Sequence, residues 1–269
     1  MKQRTVCCGV LFEGVGIHTG EISRIRIHPE PEDTGIRFLR KGVYIPARPE
    51  SVVNTSHSTD LGEGGVVVRT VEHLMATFHL LGITNATVEV LRGEEIPILD
   101  GSGYWFYKEL KNKVIKQDKD AQVMELESPL EVKSGGSRIK ALPCRCFEVT
   151  YEGEFRTYFG KQRFTFRGNV RDIILARTFC FEHEIEFIRK KGLGRGGSLE
   201  NTLVIGEGGV FNVGGLRYDN EPVRHKVLDL IGDLYLLGAS VRGRFISYKG
   251  GHTLNLTLVK ALHRRAVLV

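Results

Sequence analysis

Residues 220–237 read NEPVRHKVLDLIGDLYLL, and residues 70–81 read TVEHLMATFHLL. Both stretches space their apolar residues at three and four, the period of one helical face. Asn220 suits the N-cap of the longer stretch, with Glu221 and Pro222 in the first turn and Gly238 at the end. Thr70 suits the N-cap of the shorter, and Gly82 sits where a C-terminal glycine belongs. Each ends Leu-Leu-Gly, at 80–82 and 236–238, and each is followed by a strand-like segment. Superposing Gly82 on Gly238 lays His73 over Asp229, each nine residues upstream. The pattern suggests an internal duplication into two similar α+β halves. The alternative is a chance match between two amphipathic helices.

Outward from these helices, Tyr104–Ile115 reads as a third helix after the turn Asp100-Gly101-Ser102-Gly103, and a fourth lies near His183–Lys191. Alternation predicts strands at Ile22–Ile27, Thr87–Leu91, Phe147–Tyr151, Arg163–Phe166, Arg244–Tyr248 and Leu254–Val259. The polar stretch 116–123, KQDKDAQV, reads as the place where the halves meet, giving units of 1–118 and 119–269.

The 269 residues suffice for one large or two ordinary domains. The chain is 41% hydrophobic and 26% charged, with no low-complexity tract. No apolar run approaches the ~20 residues of a membrane-spanning helix. Met1–Phe12 has no signal-peptide pattern, so the expected location is cytoplasmic. The net charge of +6 and pI of about 9.1 leave an anionic ligand open. The basic residues are scattered with no nucleic-acid-binding motif, so no nucleic acid partner is expected. Five cysteines, Cys7 and Cys8 adjacent, do not make a disulfide framework. Cys144 and Cys146 form a C-x-C on an expected strand, with no second pair to complete a metal site. Residues 192–197, GLGRGG, match G-x-G-x-x-G but follow a helix and precede a strand. That is the reverse of a dinucleotide fold, so a flexible loop is expected.

The chemistry lies on the helices. His225, Asp229 and Asp233 stand at i, i+4 and i+8, along one side of an otherwise apolar helix. Buried carboxylates are costly unless paired or metal-bound. Imidazole and carboxylate together suit zinc, which in catalytic sites has three protein ligands and an open position. His73 is the candidate third ligand, with His79 on the same helix as a competitor; a purely structural histidine is the plain alternative. Glu72, adjacent to His73, is placed to act as general base toward water. His252, after Gly250-Gly251, is a candidate general acid; Asp233 could orient it and keep it protonated.

Several segments together resemble one family, the UDP-3-O-acyl-N-acetylglucosamine deacetylases, zinc amidases that commit Gram-negative bacteria to lipid A synthesis. They are FEGVGIHTG (12–20), TVEHLMATFHLLGITN (70–85), EIPILDGSG (95–103), ARTFCF (176–181), GLGRGGSLENTLV (192–204), LRYDNEPVRHKVLDLIGDLYLLG (216–238) and GGHTLN (250–255). The resemblance implies two α+β halves with their helices sandwiched between sheets, each half carrying a small insertion. The insertion at about 179–205 would shape an apolar passage for an acyl chain. The resemblance also implies zinc on His73, His225 and Asp229, Glu72 as base, and His252 as acid supported by Asp233. Thr178 would hydrogen-bond the oxyanion, Lys226 would contact substrate, and Phe179 and Ile185 would border the sugar and acyl chain. Iron(II) can compete for such a site. The implied partner is a small molecule, an acylated UDP-amino sugar whose chain would bring the protein near a membrane surface; no obligate protein partner is implied.

Overall fold

Ile22–Pro29 alternates buried and exposed residues, so one face, with Ile25 and Ile27, packs inward while the arginines between them face water. Val10–Val15, Ser137–Leu142 and Ser240–Tyr248 alternate in the same way, and the two largest sheets share a plan. The structure, a computed structural model, describes residues 1–155, 159–265 and the backbone of 267–268. In the first sheet the order is Val10–Val15, Ile22–Pro29, Ala86–Arg92, Ile36–Arg40, Val43–Pro46. Two hairpins flank Ala86–Arg92, which runs antiparallel to Ile22–Pro29 and parallel to Ile36–Arg40. The second sheet repeats this with Leu130–Ser134, Ser137–Leu142, Ser240–Tyr248, Phe147–Glu154 and Lys161–Phe166. In each half the central strand comes last in sequence and directly follows a long helix. These helices are α1, Glu72–Leu81, and α4, Glu221–Tyr235. The shared topology supports duplication over a chance match of two helices.

One continuous apolar core joins the inner faces of both sheets to α1, α4 and a further helix, α5 (His252–His263). The helices lie between the sheets. Gly232, inside α4, marks the closest approach of α1: a Cβ there would stand 2.0 Å from the Glu72 carbonyl oxygen. Gly82 ends α1 in the left-handed conformation, φ 68°, as its position suggested.

Several expectations change. Thr70 does not cap α1; Val71 precedes the helix, and Thr70 has φ 59°, a strained value for a β-branched residue. Asn220 stands before α4, but its side chain accepts from Arg224 Nε at 2.6 Å rather than capping the helix. The third helix, α2 (Tyr104–Leu110), ends before Ile115, because Val114–Asp120 pairs antiparallel with Lys2–Val6. Much of the expected polar junction is therefore strand. Leu254–Val259 alternates apolar and polar residues, yet it lies within α5: Asn255, Leu258, Val259 and Leu262 form the helical stripe that is buried. His252 accordingly opens a helix.

The Cys144 and Cys146 sulfurs are bonded to each other in the turn between two strands. That turn brings the Cα atoms to 5.2 Å, within bridging reach, so this pair forms a local disulfide rather than a C-x-C metal site. Residues 192–197 are docked rather than loose: Gly196 N–H donates to the Ile17 carbonyl at 3.0 Å. They follow the fourth helix, α3 (Ile185–Lys190), which lies between the parallel strands Phe179–Phe181 and Leu203–Ile205.

Candidate metal centre

The i, i+4, i+8 spacing on α4 sends His225, Asp229 and Asp233 to one side, and all three are buried. The close helix crossing at Gly232 brings Glu72 and His73 of α1 against that side. The N-terminus of α5 adds His252. His73 Nε2 lies 3.5 Å and His225 Nε2 3.2 Å from one oxygen, Asp229 Oδ1, which is buried and has no hydrogen-bond partner. An orphaned carboxylate oxygen facing two imidazole nitrogens is expensive unless a cation fills the gap. The donor set of two nitrogens and one oxygen, mutually within 4.8 Å, fits a metal ion such as zinc, with a position left open.

The surrounding groups orient this trio. His225 Nδ1 is 3.1 Å from the Ala176 carbonyl oxygen. A carbonyl can only accept, so Nδ1 carries the proton and Nε2 presents its lone pair to the centre. Ala176 is held in turn by the next residue. Arg177 makes a bidentate, buried pair with Glu221 in the first turn of α4, at 2.8 and 3.1 Å. Lys226 Nζ donates to the other Asp229 oxygen at 2.9 Å and lies 5.6 Å from the Phe179 ring centre.

Glu72 and His252 face each other beside the trio, with His252 Nε2 3.7 Å from Glu72 Oε1 and 3.9 Å from Asp229 Oδ2. Asp233 holds His252 Nδ1 at 2.8 Å and also accepts from Asn255 Nδ2 at 2.8 Å and Thr59 Oγ1 at 2.6 Å. Thr59 N–H donates to Glu72 Oε2 at 3.0 Å. Burial lowers the His252 pKa, but Asp233 and Glu72 overcome this and lift it to about 9. Burial, with Asp229 and Asp233 nearby, raises Glu72 to about 8. Burial also acts to raise Asp229, yet His225 and Lys226 hold it well below the usual carboxylate range. Both groups flanking the trio thus hold a proton more tightly than usual, while Asp229 stays ionised.

Every residue given a catalytic, ligand or substrate-contact role from the sequence borders this centre or the cleft beside it; His79, the competing ligand, does not. His79 packs against Phe147 and Tyr235, and burial pushes its pKa down to about 4. A cleft of about 400 Å³ opens from Glu72 and His73. Thr178 lines its polar end, and Phe179 and Ile185 line its apolar wall together with Ile17, Ile188 and Phe211. Thr178 is fixed by its N–H donating to the Gly101 carbonyl at 2.7 Å. Thr59, Asn255, Gly232 and the Arg177–Glu221 pair escaped sequence reading. Thr59 sits in a turn-like NTSHST run (54–59), and Asn255 lay in the segment read as strand. Gly232 carried a real signal, a glycine inside a strong helix, which has a reason only when something passes close by.

The sequence model of LpxC, described as UDP-3-O-acyl N-acetylglycosamine deacetylase, matches residues 3–264. The chain is 57% identical over 267 residues to the UDP-3-O-acyl-N-acetylglucosamine deacetylase of Aquifex aeolicus, covering 99% of this chain and 94% of that one. It is 43% identical to the protein of the same name from Anaeromyxobacter dehalogenans, covering 96% and 86%. It is 40% identical to that of Thermodesulfovibrio yellowstonii, covering 97% and 91%. With so much of the chain matched in both directions, it belongs to the LpxC family of UDP-3-O-acyl N-acetylglycosamine deacetylases.

Proposed function

We propose that this chain is a zinc-dependent hydrolase that removes the N-acetyl group of UDP-3-O-acyl-N-acetylglucosamine. Acetate and UDP-3-O-acyl-glucosamine are the products, in the committed step of lipid A biosynthesis in a Gram-negative cytoplasm. The observation that carries the reading is the buried, partnerless Asp229 Oδ1 facing two imidazole nitrogens, with Glu72 and His252 alongside. His73, His225 and Asp229 hold the metal. When bound, zinc, or iron(II) in its place, supplies a Lewis acid that polarises the amide carbonyl, lowers the pKa of water to about 7 and favours ionised Glu72.

Glu72 takes a proton from the attacking water as its oxygen bonds to the acetyl carbon. The Thr178 hydroxyl donates a hydrogen bond to the developing oxyanion. His252, charged at neutral pH and steadied by Asp233, gives its proton to the leaving nitrogen as the C–N bond breaks. Lys226 contacts the substrate while its ammonium offsets Asp229. Phe179 and Ile185 border the sugar and acyl chain. The halves 1–118 and 119–269 meet at this site, and the insertion at 179–205 walls the acyl passage. The acyl chain of the substrate draws the protein toward a membrane surface; no helix among the described residues is long and apolar enough to cross one.

The test is acetate release from the UDP-acyl sugar, with and without a chelator. Glu72→Gln should abolish turnover while the metal stays bound. Full activity in Glu72→Gln would remove the base from this scheme. Activity indifferent to chelation would remove the metal.

A further inference from the structure

Glu95 is 1% exposed, and none of the roles above involves it. Its carboxylate lies inside a turn of the first half and accepts from four donors. They are His18 N at 2.9 Å, Thr19 N at 2.9 Å, Thr19 Oγ1 at 2.9 Å and Thr70 Oγ1 at 2.9 Å. Among the described residues no cationic side chain pairs with it. Arg69, close enough for Glu95 to act on its charge, is engaged by Glu94 and Asp60. The turn is shaped around this group: a Cβ on Gly16 would stand 2.3 Å from Glu95 Oε2.

Three surfaces converge on this carboxylate. The first is the wall of the cleft, since Ile17 and His18 belong to the turn it holds and line the cleft. The second is the insertion from the other half, which docks on the outside of the same turn. Gly196 N–H donates to the Ile17 carbonyl at 3.0 Å and Arg195 N–H to that of His18 at 3.4 Å. A Cβ on Gly196 would stand 2.2 Å from the Gly16 carbonyl oxygen. The third is the start of α1. Thr70, with φ 59°, is held by Glu95 and leads through Val71 into Glu72 and His73. A strained β-branched residue persists where its surroundings over-determine it, and this hydrogen bond is one of the restraints.

We propose that Glu95 is a positioning residue that sets the register between the apolar passage wall and the metal-bearing helix, and so governs discrimination by acyl-chain length. Its lone pairs are the common anchor of the turn, the threonine and, through the turn, the insertion. A glutamine of the same shape turns one acceptor into a donor that faces N–H or O–H groups. The turn then relaxes, and with it the distance between the chain-binding wall and the reacting amide.

The inference rests on the proposed deacetylase activity, and the experiment separates the two. Acetate release is measured for wild type, Glu95→Gln and Gly196→Ala with two UDP-N-acetylglucosamine substrates, one with a long 3-O-acyl chain and one with a short one. Metal content is measured in parallel. Wild type should favour the long chain. In Glu95→Gln the long-to-short ratio of kcat/KM should fall roughly tenfold, the size of one unmet buried hydrogen bond. Metal content should stay at the wild-type level. Gly196→Ala leaves Glu95 intact, displaces the insertion from the same turn and should lower the ratio in the same direction. It also supplies the reading if Glu95→Gln does not fold. A ratio unchanged in the folded variants, an equal loss with both substrates, or a wild-type ratio near one overturns the proposal. Wild type that cleaves neither substrate overturns the deacetylase reading instead.

Discussion

Gly232→Ala adds one methyl group at the crossing of α1 and α4, and its consequence for the metal centre follows from distances. The new Cβ would lie 2.0 Å from the Glu72 carbonyl oxygen. Backbone rather than a flexible side chain blocks it, so the helices must part by about 1 Å to restore ordinary van der Waals contact. The proposed ligand residues lie on opposite sides of that crossing, His73 on α1 and His225 and Asp229 on α4. Metal–ligand distances tolerate only about ±0.2 Å, so a 1 Å separation cannot keep all three ligands engaged. Overpacking costs about 1–3 kcal/mol, and replacing a mid-helix glycine by alanine returns about 1 kcal/mol. The metal-free variant should therefore fold, destabilised by at most about 2 kcal/mol. Metal affinity should drop by at least about tenfold, as when a ligand loses its orientation. The assay is metal per chain after dialysis against a graded chelator, with thermal unfolding in the presence and absence of metal. Wild type should lose more stability on chelation than the variant does. A Gly232→Ala protein with wild-type metal retention and wild-type activity would show that the crossing does not set the ligand spacing.

Asp233→Asn removes the charge that most raises the His252 pKa. The basic limb of the kcat/KM profile should then move down in pH, and an unmoved limb would separate Asp233 from that proton. Arg177→Met leaves Glu221 buried without its cation and should cost about 3–5 kcal/mol in denaturant unfolding, with weaker metal binding through Ala176; a loss under about 1 kcal/mol would contradict this. Burial depresses the His79 pKa from 6.5 to about 4, so the fold favours the neutral ring and the unfolded chain takes up the proton first. The stability this provides is present above pH 6.5 and is lost as pH falls toward 4, by about 3 kcal/mol in all. His79→Gln should flatten that segment of the stability curve relative to wild type, and parallel curves would refute the assignment.

Sequence alone determined the parts that depend on local period and local chemistry. The 3.6-residue stripe of α4 ordered His225, Asp229 and Asp233 along one side. The repeated Leu-Leu-Gly ending paired His73 with Asp229 and foretold two halves. Boundaries were less legible. Val114–Asp120 became strand because Lys2–Val6, far away in sequence, supplies its partner. Leu254–Val259 became helix because the core it meets accepts a stripe rather than a pleated face. Local alternation carries no record of either partner.

What only the tertiary structure decided was the meeting of groups remote in the chain. Thr59 joins Glu72 to Asp233, Arg177 joins the segment around Ala176 to α4, and Glu95 holds a turn, a threonine and, through the turn, an insertion. None of these has a period or a motif, because a hydrogen bond between distant segments depends on how helices cross and loops dock. The residues proposed as ligands lie on two helices that the sequence marks by period and by a shared ending. Their approach in space needs the bare backbone at Gly232, where a Cβ would stand 2.0 Å from the Glu72 carbonyl oxygen.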